Sequence, residues 1–283
     1  MAAHAVTERS VSFPSSPTPI AVPATTAQDG RAFGDQALLA LDAFETASLD
    51  LLNTRLLQDR IDRKYLVARR NFTSLLDQLC TGYRVVRAAG RPAATYDTLY
   101  FDTADRRLYE DHRRERGRRY KVRIRHHFER ELSFLEVKFQ QGNGRTSKAR
   151  TPRRFLDSSL DEAAQAFVDE HVTFRPFPVE SLVPQVWTKF TRATLVGTAL
   201  NERLTIDWDV VLRDDRTSRA FDDMVIVEIK QTRYANMTAA VRACAAVHAR
   251  EQAVSKYCLA VATLAPESRG FRPLIRKVEH LPV

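Results

Sequence analysis

Five segments of the chain repeat a pattern that no dry core accepts: charged residues at every second position, with large apolar residues between them. They are Arg60, Asp62 and Lys64; Lys121, Arg123 and Arg125; Glu136 and Lys138; Arg203, Asp207 and Asp209; and Glu228 and Lys230, set against Ile, Leu, Val, Trp or Phe. A period of two belongs to the β-strand, whose side chains alternate between the two faces of a sheet. Each segment is therefore expected to be a strand with one charged and one apolar face. Like charges at such spacing repel, and they are tolerated only where water or a polyanion screens them. The densest case is RRERGRRYKVRIR, with eight basic residues and one acid between Arg113 and Arg125. Two architectures satisfy the pattern. One is an open sheet with a solvated charged face, whose surface ion pairs each contribute about 0–1 kcal/mol. The other is a sheet curled into a barrel with a charged interior and helices over its apolar exterior.

Composition narrows the partners. The chain has 283 residues, 44% of them hydrophobic, enough for a sizeable core. Its net charge is +9, but the first fifty residues hold two basic residues against six acids, so the rest carries +13. A field of that sign recruits anions such as phosphates, nucleic acid or an acidic membrane. Cys80, Cys244 and Cys258 form no CxxC pair, so neither a disulfide framework nor a zinc site is indicated and a reduced cytoplasmic setting fits best. No secretory leader is seen, and no stretch approaches the roughly 18 apolar residues of a membrane span. Membrane association would come through a partner protein. Nucleic acid is not expected, because Tyr100 and Phe101 are not interleaved with the basic run as a stacking platform.

Along the chain, residues 1–34 are rich in Ala, Pro, Ser and Thr and read as a disordered tail. Short helices are expected from Asp35, followed by the strand RIDRKYLV and a helix with Asn71 as N-cap carrying Phe72, Leu75, Leu76 and Leu79. From Tyr96 a meander of antiparallel strands is expected: YDTLYFD, residues 119–128, LSFLEVKFQ, a turn at Gly142-Asn143-Gly144, and RTSKARTPR. A helix at about 159–171, capped by Ser158 or Ser159, precedes the strands QVWTKFTRATLV, RLTIDWDVVL and MVIVEIKQT. A helix from about Thr238 to Glu251 and the stretch SKYCLAVATL complete the domain, 35–264, and 265–283 reads as a C-terminal tail. Asp102 reads as a strand-end turn former, His126 and His127 as bystanders, and Arg113, Arg114, Arg116 and Arg118 as a solvated loop or entrance funnel.

Nine stretches, in order, carry a resemblance: RIDRKY, TLYFDT, KVRIR, FLEVK, GRTSKAR, FTR, RLTID, VEIK and SKY, covering about residues 55–262. The chain resembles the VTC domain, the catalytic domain of polyphosphate polymerases within the triphosphate tunnel metalloenzymes, in its bacterial form. The resemblance implies an α+β fold built on an antiparallel β-barrel tunnel with a charged lumen, flanked by helices. It also implies ATP and polyphosphate as ligands, Mn²⁺ or Mg²⁺ as cofactor, and transfer of the terminal phosphate of ATP to a growing chain. Hydrolysis of tripolyphosphate or a nucleoside triphosphate in the same tunnel, or polyphosphate or RNA binding without catalysis, are the alternatives.

Both lines assign residues. Arg123 and Arg125 are expected to fork onto phosphate oxygens, since guanidinium geometry matches phosphate and its charge does not titrate away. Lys64, Lys121, Lys138, Lys148, Arg192, Arg203 and Lys230 would line the remaining walls. Glu228 is the preferred metal ligand, with Glu136 and Asp207 assisting. By similarity, Lys256 of SKY lies near the phosphoryl group being transferred. Two departures stand out: the first strand carries Arg60 and Asp62 where tunnel enzymes carry glutamates, and Ala253 stands where the eukaryotic polymerases have a further lysine.

Overall fold

Each alternating segment forms a strand, and all the strands join one antiparallel sheet. The computed structural model describes residues 24–54, 61–142, 145–174, 177–232, 234–235, 237–265, 270–279 and 281. Its helices are α1 (Ala24–Asp42), α2 (Leu49–Thr54), α3 (Phe72–Leu79), α4 (Arg107–Arg113), α5 (Glu162–His171), α6 (Ala239–Ala246), α7 (Lys256–Leu264) and α8 (Arg272–Glu279). Its strands are β1 (Ile61–Ala68), β2 (Tyr83–Val85), β3 (Ala93–Thr103), β4 (Arg119–His127), β5 (Leu132–Gln140), β6 (Thr146–Arg153), β7 (Leu182–Gly197), β8 (Glu202–Arg213), β9 (Ser218–Phe221), β10 (Met224–Gln231) and β11 (Arg250–Glu251). The order is β11-β1-β10-β8-β7-β3-β4-β5-β6, with β2 on β7 and β9 on β8. Arg60 and the Asn143-Gly144 part of the expected turn lie outside the described residues, as do residues 1–23 of the expected tail.

The sheet does not close by hydrogen bonding: β11 and β6 are its two ends among the described residues. It does curl. Lys138 on β5 lies within electrostatic range of Asp62 and Lys64 on β1, far along the strand order. Twist accumulated over many antiparallel strands produces such curvature, and two bulges sharpen it, at Tyr100/Phe101 of β3 against β7 and at Lys189/Thr191 of β7 against β8. The second bulge corrects an expectation. Asp209 adopts a left-handed conformation with φ of 50° and turns toward Arg69 and Asp222 instead of joining Asp207. The extra residue of the bulge breaks the period of two there.

Helices cover the apolar convex face as the strand pattern requires. Against β1, β7, β8 and β10, the residues Tyr65, Val67, Leu195, Ile206, Trp208, Val227 and Ile229 pack on Leu41 of α1, Phe72, Leu75 and Leu76 of α3 and Ala243 and Cys244 of α6. Against β3, β4 and β5, Leu99, Phe101, Val122, Ile124, Leu135 and Val137 pack on Ala164 and Val168 of α5. Three caps differ from expectation or refine it. Asp161, not Ser158 or Ser159, caps α5 by accepting from the Ala164 amide at 2.9 Å. The Asn71 side chain makes no cap; its amide donates to the Val247 carbonyl at 3.0 Å and ties α3 to the end of α6. Thr238 caps α6 through the Val241 amide.

The concave face holds a larger difference. Only part of it is charged; the rest is an apolar pocket filled by α7. Tyr257, Cys258, Leu259 and Val261 of α7 pack on Leu66 of β1, Tyr100 of β3, Phe190 of β7, Val210 and Leu212 of β8 and Ile226 of β10. SKYCLAVATL is thus a helix inside the curled sheet, opened by Ser255, which accepts from the Cys258 amide. The segments expected as tails also differ: α1 starts at Ala24, and α8 lies within 265–283, where Leu274 and Val278 join the same apolar cluster. No helix among the described residues is long and apolar enough to cross a membrane.

Asp102 clamps α7 in place. Fully buried at the end of β3, its carboxylate accepts from the amides of Thr103, Leu108 and Tyr109 at 2.7–2.8 Å and from the Tyr257 hydroxyl. It therefore terminates the strand, caps α4 and anchors α7 at once. Replacing Asp102 by Ala leaves these donors buried and unpaired, at a cost of roughly 3–5 kcal/mol. Urea unfolding is expected to show that loss as a lowered midpoint, and an unchanged midpoint would remove Asp102 as the clamp.

Candidate functional site

Register on the concave face sets the charged residues in rows. On one wall, Lys121 of β4 lies opposite Lys138 of β5, which lies opposite Lys148 of β6; the next row is Arg123, Glu136 and Arg150, and Arg125 faces Phe134. On the other wall, Asp62 of β1, Lys230 of β10 and Arg203 of β8 form one row, and Lys64, Glu228 and Thr205 the next. Asp207 of β8 faces Arg192 of β7. Every residue expected in the site thus lies on this face or, for Lys256, at its edge. Arg63, between Asp62 and Lys64, points to the convex side, where its guanidinium is paired with Glu251 at 2.6 Å.

Three carboxylates in the hollow, Glu136, Glu228 and Asp207, are each shared between cations. Glu136 Oε2 accepts from Arg123 at 2.7 Å, Lys148 pairs with Oε1, and Arg125 stands 4.0 Å away. Glu228 accepts from Lys64 at 3.1 Å and from Lys230 at 2.5 Å, with the Thr205 hydroxyl at 3.4 Å. Asp207 receives both arms of Arg192, at 2.5 and 2.7 Å, and the ammonium of Lys256. Lys256 reaches it because it is the first residue of α7, which carries its chain inward on the Ser255 cap. The positive end of the helix points the same way.

Two lysines are left over. Among the described residues, neither Lys121 nor Lys138 has a carboxylate within ion-pairing distance; Lys121 Nζ donates instead to Ser255 Oγ at 3.0 Å. Aromatic rings support the guanidinium groups: Tyr100 lies 5.9 Å from Arg123, and Tyr96 and Phe190 lie 5.1–5.9 Å from Arg125 and Arg192. Neither these rings nor Arg150, Ser255 and Thr205 was marked as part of the site by the sequence pattern. The alternation of Tyr96, Thr98 and Tyr100 opposite the arginines is the signal that would have found the rings.

Protonation follows from this crowding. Burial tends to raise the Asp207 carboxyl, but Arg192 and Lys256 hold it down at about 2. Glu228 behaves likewise under Lys230 and Lys64 and stays well below the carboxylate range, and Arg123 and Arg125 do the same for Glu136. Burial, with Lys121 and Lys64 nearby, pushes Lys138 down to about 8 despite Asp62. Burial also lowers Lys121 and Lys256. For Tyr100, burial acts upward, yet Arg123, Arg125 and Lys121 bring its phenol down to about 8. The face is a concentration of positive charge short of anions.

The state of the carboxylate oxygens tests the fit of a divalent ion. Among the described residues no group of three or more His, Cys, Asp or Glu side chains converges, so an all-protein cage is not formed. Mg²⁺ or Mn²⁺ needs only one or two carboxylates when phosphate oxygens complete its shell. Glu228, held by lysine point charges, suits that mode; Glu136 and Asp207, each bound by an arginine, suit it less.

Lys138 gives a pH signature. Its folded value near 8 lies below the ordinary 10.5, so the unfolded chain binds more protons between those values and stability rises with pH across that window. Lys138→Met is expected to raise stability by roughly 1–3 kcal/mol at pH 7 and to flatten the rise above pH 8. Thermal unfolding at pH 7 and pH 9.5 checks both, and a variant with the wild-type pH dependence would contradict the assignment.

Comparison with known proteins follows the same lines. A model of the VTC domain matches residues 59–265. Among solved structures, the chain is similar to a candidate adenylyl cyclase from Hippeastrum described as having a dominant triphosphatase activity (13% identity, 72% of this chain and 96% of that chain, TM-score 0.48). It is also similar to a candidate adenylate cyclase from Bacillus halodurans (16% identity, 70% and 95%, TM-score 0.46) and to an RNA triphosphatase from S. pombe (11% identity, 93% and 91%, TM-score 0.25). These likenesses are remote, and no residue role is taken from them. None of the curated proteins compared matches the chain. The VTC model spans the curled sheet and α7 together, and the chain belongs to the VTC domain family.

Proposed function

We propose that the concave face binds ATP and polyphosphate and transfers the terminal phosphate of ATP to the growing chain. The observation that carries this reading is the surplus of cations: strands distant in sequence bring lysines and arginines to one hollow, and among the described residues Lys121 and Lys138 have no carboxylate within ion-pairing distance. A phosphate chain supplies that missing charge. Arg123 and Arg125 grip successive phosphates, releasing part of their hold on Glu136. Lys138, Lys148, Lys64, Lys230, Arg203 and Arg192 line the walls as fixed charges. Closure of β6 toward β11 around the bound chain, as a complete barrel, belongs to the same reading.

Phosphoryl transfer asks the protein for position and charge neutralisation, with little covalent chemistry of its own. Lys256 is held by Asp207 at the N-terminus of α7, where its ammonium and the helix dipole both face the hollow. It stabilises charge on the phosphate being transferred, and Arg192, through its fork to Asp207, fixes its position. A divalent ion bound at Glu228 would supply neutralisation of the phosphate oxygens. Nothing in the site needs to abstract a proton when the acceptor is a phosphate oxygen.

Hydrolysis, with water as acceptor, is the second reading. It is favoured by Ala253 in place of a lysine and by α7, which fills one part of the hollow through which a lengthening chain would pass. Incubation of the purified chain with ATP and Mn²⁺ separates the readings: long chains on a gel support synthesis, orthophosphate without chains supports hydrolysis, and binding without turnover leaves a binding module. Arg123→Ala and Lys256→Ala are each expected to lower turnover by about 100-fold or more with the fold retained by circular dichroism. Wild-type rates in both would refute the assignment.

A further inference from the structure

One corner of the concave face gathers three aromatic rings at the rim of the cluster that α7 fills. His127 follows Arg123 and Arg125 on the same face of β4, and the ladders set Tyr96 of β3 opposite His127 and Phe134 of β5 opposite Arg125. The rings meet edge to face, Tyr96 to His127 at 4.6 Å and 64°, His127 to Phe134 at 5.7 Å and 83°. All three rings are partly exposed. Guanidinium groups frame them: Arg125 and Arg192 lie over Tyr96 at 5.7 and 5.5 Å, and Arg150 over Phe134 at 5.0 Å. Burial, helped by Arg125, pushes the His127 imidazole down to about 4, so the ring is an uncharged π-surface among cations at neutral pH.

Partly exposed aromatic rings among planar cations stack well on flat heterocycles, and such stacking is tolerant of which base is offered. At the rise of an extended strand, His127 lies about 7 Å from Arg125 and about 13 Å from Arg123. We infer that this corner, Phe134 and His127 above all, seats the base of a nucleoside triphosphate whose phosphates run inward along Arg125 and Arg123. The inference rests on the phosphate reading above. It assigns the nucleotide an orientation, base at the outer end of β4 and terminal phosphate toward Lys138 and Lys256. It also assigns a selectivity: because stacking is tolerant of the base offered, ATP and GTP bind alike, and both bind more tightly than tripolyphosphate.

The test measures dissociation constants of ATP, GTP and tripolyphosphate by calorimetry for the full chain and for Phe134→Leu, Phe134→Ala and Phe134→Trp. In the leucine and alanine variants, ATP and GTP are expected to weaken at least fivefold while tripolyphosphate is unchanged, and tryptophan is expected to restore or exceed the wild-type value. A fluorescent 2-aminopurine nucleoside triphosphate gives a second readout on the unaltered protein, with stacking seen as quenching on binding. ATP affinity equal in all variants, or no quenching, with tripolyphosphate binding intact, would overturn the base site alone. Wild-type protein that fails to bind tripolyphosphate at all would overturn the phosphate reading itself.

Discussion

Mutual repulsion among cations on the concave face is the constraint to which the rest of the structure answers. Lys121, Arg123, Arg125, Lys138, Lys148, Arg192, Lys230 and Lys256 converge where the sheet curls, and only a few carboxylates stand among them. Glu136, Asp207 and Glu228 each serve two or more cations, which is why all three stay ionised in spite of burial. The pairs hold the walls together, yet they do not neutralise the face, and Lys121 and Lys138 keep the surplus. A site of this kind stores unfavourable electrostatic energy that an incoming polyanion relieves.

The apolar filling by α7 is the complement to that repulsion. A curled sheet lined by charge alone would be a solvated shell with no reason to hold its shape. Here Leu66, Phe190, Ile226 and Tyr257 give part of the interior a dry core, and Asp102 locks the helix to the end of β3. The same helix delivers Lys256 to Asp207. Stability and chemistry therefore share one element: loosening α7 would both open the core and withdraw a cation from the hollow.

Much of this was legible in the strand pattern because a period of two with charge on one face leaves few options for packing. The segments around Lys64, Arg123, Lys138, Asp207 and Glu228 met as the alternation implies. Less legible was the point where each inward face changes character: Lys64 gives way to Leu66, Glu228 to Ile226 and Arg192 to Phe190, and an apolar residue in a strand does not announce which face it occupies. KYCLAVATL is apolar around its whole circumference, so periodicity could not separate helix from strand, although Ser255 is a helix cap that sequence rules recognise. Leu274 and Val278, four apart, carry a helical spacing within a stretch whose composition is that of a tail. The bulge that turns Asp209 away has no local signature, because it arises from pairing with β7.

Proton linkage tests the central claim most directly. Tripolyphosphate binding to the full chain would be measured by calorimetry at pH 6.5 and pH 9 in buffers of different ionisation enthalpy. A face on which Lys138 is partly deprotonated near pH 8, with burial lowering Lys121 beside it, must take up protons when a polyanion binds at pH 9, and must do so little or not at all at pH 6.5. Binding with net uptake at the higher pH alone is the result the account predicts. Absence of binding heat at both pH values, or binding with no proton uptake at pH 9, would contradict it.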